Sequence, residues 1–536
     1  MAESQKPQIH VDSQSGSDEA PADGSKQHPY KTLGYAYFQH KESAEYHVLG
    51  EDESDKDGPS YKPAAKAGLK KAAKLAQGLE KKAKGQEELA LRQKQEEESR
   101  SKALEESKKI IVTEDSSLPK AVKIKLSEKD PKVIRLRSGD SKKDVDYSEG
   151  RGSRVRVAGW VHRVRDQKAV IFVELRDGYG FLQCVLTGQL AKTYDALTLT
   201  RETFMEITGE MWEVPPGAHA PDDRELHADY FKVIGKAPGG EEAITNKVQA
   251  QGDAQTLLDQ RHLVMRGEVA SAVMRVRAAV ESAFAQTYRE VDCCKVSPPA
   301  LVQTQVEGGA TLFKFDYYGE QSFLTQSSQL YLETVLPSLG DVYCIEKSFR
   351  AEKSLTRRHL SEYTHIEAEL NNITFDELLV HLEQVMCRVL EITLSDPRIA
   401  GLIQKLHPEF KQPERPFKRM KYADAIDWLR EHDIPNEEGE PHSFGDDIAE
   451  AAERKMTDII DRPIFLTHFP IEIKAFYMAK DVEDPRVTES VDCLMPGVGE
   501  IVGGSMRMWD YDELMAAYER EGIDPKPYYW YTDQRL

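Results

Sequence analysis

Between Asp341 and Leu370 the chain reads DVYCIEKSFRAEKSLTRRHLSEYTHIEAEL, a stretch dense in groups that hold charge. As a strand, its first part places Cys344, Glu346, Ser348, Arg350 and Glu352 on one face by period-two alternation. A second strand turns Tyr363, His365, Glu367 and Glu369 one way and Ile366, Ala368 and Leu370 the other. The apolar set asks for a packed side. Arg350, Glu352, Glu367 and Glu369 are then left, with an aromatic ring, on the open side. The loop between the strands carries Lys353, Arg357, Arg358 and His359. Carboxylates and one arginine under a cationic loop suit a substrate with both an ammonium and a polyphosphate. An exposed hairpin with merely solvated charges is the bland alternative.

The elements that must position this hairpin lie on both sides of it. Arg275 to Val291 has helical spacing, with Val276, Val280, Phe284 and Tyr288 on one stripe. It runs into a strand broken by Pro298, and proline within a strand prefers an edge or a bulge. Upstream, RVRVAGWVHRVR, AVIFVELRD, GYGFLQCVLTG, FMEITGEMWEVP and HADYFKVIGKA read as five short strands, with a hairpin turn at Asp177-Gly178. Five strands over residues 151–238 predict an oligonucleotide-binding barrel open to single-stranded RNA on one face. A polar hinge, 239–262, separates it from the larger domain, 263–536.

The 536 residues suffice for two or three domains. A net charge of −20 argues against a protein that simply coats nucleic acid, so an RNA partner needs local basic surface. Residues 62–109 supply it: 14 Lys and Arg against 8 Glu make this stretch about +6. Its richness in alanine, leucine, lysine and glutamate predicts a helical arm over 61–110, either an RNA-backbone contact or a solvated linker helix. Residues 1–60 form a polar N-terminal unit and 111–150 a linker. The six cysteines show no metal-ligand spacing and read as reduced thiols. No apolar run approaches 18 residues, and Asp12, Asp18 and Glu19 argue against a mitochondrial leader, so a cytoplasmic protein without a membrane partner is expected.

FRAE followed by RRHLSEYTHIEAE resembles motif 2 of the class II aminoacyl-tRNA synthetases, in the subgroup that activates aspartate, asparagine and lysine. The likeness spans roughly 150–535, more weakly the first fifty residues, and points within that subgroup to the eukaryotic cytosolic asparaginyl branch. It implies an α+β chain: an appended N-terminal unit, a five-stranded anticodon-binding barrel and an antiparallel-sheet catalytic domain. The implied reaction joins asparagine to tRNA(Asn) at the cost of ATP, in a homodimer with Pro298 at its interface. Catalysis would rest on positioning and electrostatic stabilisation rather than on an enzyme nucleophile.

The same resemblance assigns roles. Glu307 and Gln329 hold the substrate ammonium, where acceptors are needed. Leu332 stands where aspartyl enzymes carry a lysine, so a charged substrate side chain would go unpaired. Glu367 accepts from the side-chain amide nitrogen and Arg507 donates to its oxygen. Arg350 contacts the α-phosphate and is the catalytic residue, Tyr363 lies under adenine, Glu352 beside the nucleotide, and Arg358 and His359 at the outer phosphates. Asp492 and Glu500 hold Mg²⁺ against the triphosphate. The glycines at 497, 499, 503 and 504 lie in a strand that the substrate approaches closely. On the barrel, Phe172 and Gln183 meet an anticodon base, flanked by Arg163 and Arg165. The family's motif 3 does not follow YWYTDQ, so the catalytic domain is expected to be C-terminally incomplete and its competence open. An aspartyl ligase and a non-catalytic RNA-binding relative remain as alternatives.

Overall fold

The structure, a computed structural model, describes residues 6–50, 60–127, 134–135, 154–167, 169–249, 252–304, 306, 312–352 and 360–535. Contacts divide the chain into two compact units, Met1–Gln249 and Ala250–Leu536. Among the described residues no helix is long and apolar enough to cross a membrane.

The first unit begins with a small sheet in which β1 (Gln8–Val11) pairs in parallel with β2 (Glu45–Gly50), and β2 runs antiparallel to β3 (Ser60–Pro63). Helix α1 (Leu33–His40) starts where the Thr32 hydroxyl accepts from the Tyr35 N–H, a satisfied N-cap. Ile9, Val11, Tyr30, Ala36 and Tyr46 form the core beneath it. The alanine- and lysine-rich stretch is one helix, α2 (Lys66–Ser107). It does not stand free: Ala72 and Ala76 are buried, and α2 packs on α1. Gly34 permits that approach, since a Cβ there would lie 3.1 Å from Leu75 Cβ.

The barrel forms as the alternation predicts. Its strands are β6 (Arg154–Gln167), β7 (Val170–Arg176), β8 (Phe181–Thr187), β9 (Phe204–Glu213) and β10 (Arg224–Gly235). They close in the order β6-β7-β8-β10-β9, with β9 returning to β6. At the β7–β8 turn the Asp177 carboxylate accepts from the Tyr179 and Gly180 N–H groups at 2.8 and 3.0 Å. Alternate residues Val155, Val157, Val161, Ile171, Val173 and Leu175 fill the interior.

Two short strands join this barrel, β4 (Val122–Lys123) on β6 and β5 (Ile134–Arg135) on β9. Part of the expected linker is therefore structural. Val112, Ile124 and Leu126 pack into the barrel core, and Leu126 is fully buried. Arg224, also buried, donates to the Leu126 carbonyl, while the Leu126 N–H donates to Asp177 at 2.8 Å. Arg154 clamps the strap from below through Pro119 O at 3.2 Å and Glu114 at 2.9 Å.

The second unit contains the hairpin. Helix α3 (Glu268–Glu290) covers the predicted stripe, with Val280, Phe284 and Tyr288 in the core. Strands β11 (Cys294–Lys295) and β12 (Leu301–Val302) follow, and Pro298 lies between them rather than inside a strand. They enter different sheets: β12 joins β14 (Glu320–Leu324) and β13 (Lys314–Tyr317), while β11 joins the hairpin. Helix α4 (Gln329–Leu339) leads into that hairpin, β15 (Val342–Phe349) and β16 (Glu362–Glu369). Helix α5 (Phe375–Ser395), started by a Thr374–Glu377 capping box, packs with α3 against its apolar back. A second sheet takes β17 (Lys418–Lys421), β18 (Ile464–Thr467), β19 (Ser490–Met495) and β20 (Gly499–Ser505), backed by α6 (Tyr422–Glu431) and α7 (Glu450–Ile460). Gly499, Gly503 and Gly504 lie in β20 as expected. Gly497 instead makes the β19–β20 turn, at φ 72°.

Candidate active site

The β15–β16 register pairs Cys344 with Glu367, Glu346 with His365 and Ser348 with Tyr363, so the predicted polar face exists. The opposite face, Ile345, Ile366, Ala368 and Leu370, packs with Tyr343 and Val385. The polar face opens into a cleft of about 2040 Å³ that Arg350, Glu352, Tyr363, Glu367, Glu369, Gln329, Arg507, Asp492 and Glu500 all line. Thus residues from 329 to 507 line one cleft. Glu307, Arg358 and His359 lie outside the described residues, as do Lys353 and Arg357.

One end of the cleft is built around Glu367. Its carboxylate accepts from the Ser327 hydroxyl at 2.5 Å and from the Ser328 N–H at 2.9 Å, at the N-terminus of α4. Backbone donors and the helix dipole there favour negative charge. His365 Nδ1 lies 3.4 Å away and Cys344 Sγ 3.8 Å. Burial, then the neighbouring Glu367, pushes the Cys344 thiol up to about 12. Gln329 donates through Nε2 to Glu333 at 3.1 Å. Arg507 reaches Glu369 at 2.6 Å, lies 3.4 Å from Glu333, donates to the Ser505 carbonyl and hydroxyl, and stacks over Tyr477 at 5.3 Å. Burial raises the Glu369 carboxyl above its ordinary value, and Arg507 opposes that rise.

Leu332 departs from expectation. It does not line the cleft. Its side chain is fully buried and clusters with Val342 and Cys344. Sequence offset from Gln329 alone could not reveal this, because α4 sits between a cleft and a core and which face meets which is set by its neighbours. Glu333, one turn from Gln329, takes the wall position instead.

The other end carries the nucleotide candidates. Arg350 lies 5.6 Å over the Tyr363 ring, and the Tyr363 and His365 rings are 5.1 Å apart. Asp492 and Glu500 face each other across Gly503: a Cβ there would lie 3.2 Å from Glu500 Oε1 and 3.6 Å from Asp492 Oδ1. A side chain at 503 would crowd the Glu500 carboxylate. Lys474, unremarked in the sequence, donates to Asp492 at 2.7 Å. Glu453 is half-buried, and desolvation together with the nearby charges of Asp492 and Glu500 pushes its carboxyl up to about 8. Among the described residues no three His, Cys, Asp or Glu form a ready metal cage. Two hard carboxylate oxygens, Asp492 and Glu500, nevertheless suit Mg²⁺, which prefers oxygen ligands and needs one or two carboxylates.

In the first unit, the barrel has its own polar row. Arg163 pairs with Glu174 across β6–β7, Glu174 with Gln183, Gln183 with Glu225 and Glu225 with Trp212. Arg165 lies 5.3 Å over the half-buried Phe172 ring and donates to Gln183 Oε1 at 2.5 Å. Gln183 Nε2 donates to Glu225 at 3.0 Å. Phe172 is absent from the barrel's core cluster, whose β7 members are the alternate residues Ile171, Val173 and Leu175.

Residues 253–535 match the family described as tRNA synthetases class II (D, K and N). Residues 155–234 match the OB-fold nucleic acid binding domain, and 25–119 the "Asparaginal-tRNA synthetase, N-terminal domain". The cytoplasmic asparagine–tRNA ligase of Saccharomyces cerevisiae is 51% identical over 530 residues, 98% of this chain and 92% of that one. The Homo sapiens cytoplasmic enzyme is 46% identical over 532 residues, again 98% and 92%. The Entamoeba histolytica asparaginyl-tRNA synthetase in complex with asparaginyl-adenylate superposes with TM-score 0.68 at 42% identity, covering 75% of this chain and 90% of that one. The Pyrococcus horikoshii enzyme complexed with asparaginyl-adenylate gives 0.65 at 36%, covering 72% and 87%. With a cleft of this shape, a nucleic-acid barrel and these relatives along nearly its whole length, the chain belongs to the class II tRNA synthetases of the aspartate, lysine and asparagine group, in the cytoplasmic asparagine–tRNA ligase family.

Proposed function

We propose that the cleft activates L-asparagine with ATP and passes the asparaginyl group to tRNA(Asn) in the cytoplasm. One observation carries the amino-acid assignment: Glu367, fixed by Ser327 and Ser328, lines the same cleft as Gln329 and Arg507. Gln329 and Glu307 receive the ammonium, Glu367 accepts from the amide nitrogen, and Arg507 donates to the amide oxygen. Aspartate offers no N–H to Glu367 and brings a second negative charge beside Glu367, Glu333 and Glu369. A site built for a donor rejects the analogue lacking it, by roughly 10⁴–10⁵ in the best cases.

Arg350 binds the α-phosphate where charge rearranges as the asparagine carboxylate attacks and pyrophosphate departs. Tyr363 supports adenine, and Glu352, Arg358 and His359 hold the rest of the nucleotide. Asp492 and Glu500 would hold Mg²⁺, which supplies charge neutralisation on the phosphates. Lys474, donating to Asp492 at 2.7 Å, keeps that carboxylate oriented. The terminal adenosine hydroxyl of tRNA then attacks the acyl carbonyl and AMP leaves.

The barrel reads the anticodon, with Phe172 stacking on a base, Gln183 hydrogen-bonding it, and Arg163 and Arg165 at its backbone. The exposed lysines of α2 add sequence-independent attraction to tRNA phosphates. The working form is a homodimer through α3 and the Pro298 segment. Exposed Val269, Val273, Met274 and Leu301 supply the apolar surface for it. Sedimentation velocity tests that point: a monomer at micromolar concentration removes it. Pyrophosphate exchange with each amino acid tests the assignment. Exchange with asparagine and none above background with aspartate is expected, and comparable exchange with both would defeat the reading.

A further inference from the structure

At the amino-acid end of the cleft, one carboxylate lies against Gln329, Arg507 and Arg535. Glu333 is buried, its side chain only 4% exposed. Its Oε1 accepts from Gln329 Nε2 at 3.1 Å and lies 3.4 Å from Arg507 Nε. Its Oε2 accepts from Arg535 Nη2 at 2.6 Å. Arg535 is itself fixed, donating to Met508 O at 3.0 Å and Tyr531 O at 3.3 Å and stacking on the Tyr531 ring at 4.1 Å. Gln329 and Glu333 stand one turn apart on α4, so the helix sets their spacing.

We propose that Glu333, anchored by Arg535, is the positioning residue of the asparagine site. A glutamine side chain has two nearly isosteric ends, and only its neighbours decide which end faces a ligand. A carboxylate accepts and cannot donate. It therefore takes the NH₂ end of Gln329 and leaves the carbonyl oxygen as acceptor for the substrate ammonium. The same oxygen braces the Arg507 guanidinium opposite. A glutamine at 333 offers both a donor and an acceptor, so the orientation of Gln329 is no longer selected. The inference rests on Gln329 holding the ammonium.

Steady-state pyrophosphate exchange on the full chain tests it. Glu333→Gln should raise the asparagine KM by about 10–100-fold, the range of a lost charge-assisted hydrogen bond, with the ATP KM within about twofold of wild type. Glu333→Asp, which keeps the charge, should recover part of that loss. If Glu333 acts through Gln329, Gln329→Ala in the Glu333→Gln background adds little to either single change. Gln329→Ala with an unchanged asparagine KM would mean that the site assignment itself fails. A raised KM in Gln329→Ala but a wild-type KM in Glu333→Gln overturns only the positioning role. Should the glutamine variant not fold, the aspartate variant decides: a raised asparagine KM supports the inference and a wild-type one overturns it.

Discussion

Replacing Leu332 with lysine separates two accounts of asparagine selectivity. If position 332 faces the substrate, Leu332→Lys supplies a cation for aspartate and changes specificity at little cost in stability. The structure places Leu332 in the core, fully buried beside Val342 and Cys344. There the lysine forfeits the leucine's burial, about 2–3 kcal/mol. It also buries an ammonium, which costs several kcal/mol more when unpaired. Cys344, which packs with Leu332, has its Sγ 3.8 Å from Glu367. A total of about 4–6 kcal/mol follows, and for a catalytic unit of this size about 2–4 °C of Tm goes with each kcal/mol. Melting of the second unit should therefore drop by about 10–20 °C. Leu332→Met, which conserves volume, should cost less than about 1.5 kcal/mol and keep the asparagine KM. Differential scanning calorimetry and exchange assays with both amino acids measure these effects. A Leu332→Lys protein that melts like wild type and now activates aspartate would refute the reasoning.

Arg350→Ala should lower the exchange rate by about 10²–10³ while leaving anticodon stem-loop affinity intact, measured by exchange and by fluorescence anisotropy. Equal rates would remove Arg350 from the reacting phosphate. Phe172→Leu should weaken stem-loop binding by about 1–3 kcal/mol without touching asparagine-dependent exchange. Unchanged affinity would return Phe172 to a packing role. Glu453, with its carboxyl raised from 4.5 to about 8, is protonated in the folded protein at neutral pH and ionised in the unfolded chain. The folded state thus binds more protons between those values, and stability falls as pH rises through that window. Glu453→Gln should raise Tm more at pH 7.5 than at pH 5. An equal shift at both would show that Glu453 does not titrate between the two states.

The polar face of β15 and β16 was legible because period-two alternation survives wherever one side of a hairpin is packed, and Ile366, Ala368 and Leu370 supplied that side. The barrel was legible for the same reason, helped by the Asp177-Gly178 turn. Pattern failed where the deciding contact is distant in sequence. Leu332 is core because β15 lies beneath α4, a fact that no spacing within α4 contains. The strap at 112–127 has little periodicity of its own, and its place comes from Arg154 and Arg224, which close on it from strands far downstream. Glu333 and Arg535 are 202 positions apart, so their ion pair leaves no local trace. Lys474 and Glu453 carried no motif at all. Their meaning comes from where Asp492 stands.

Helix α2 has a mechanical consequence. Forty-two residues of continuous helix are about 63 Å long, and each end is gripped. The N-terminal end packs on α1. At the other, Ser107 is buried and the Lys108 ammonium lies 5.8 Å over the Tyr194 ring beside the barrel. A helix held at both ends behaves as a shaft, transmitting rotation as well as distance. Each inserted residue would advance the far end by about 1.5 Å and turn it by about 100°. One or two added residues therefore re-aim the whole N-terminal sheet, whereas seven or eleven return it nearly to its original bearing. Gly78 and Gly85, seven residues apart, are the points at which such a shaft bends most readily. The angular setting of the small sheet about the barrel is thus encoded in a residue count, and the length of α2 matters modulo the helical repeat.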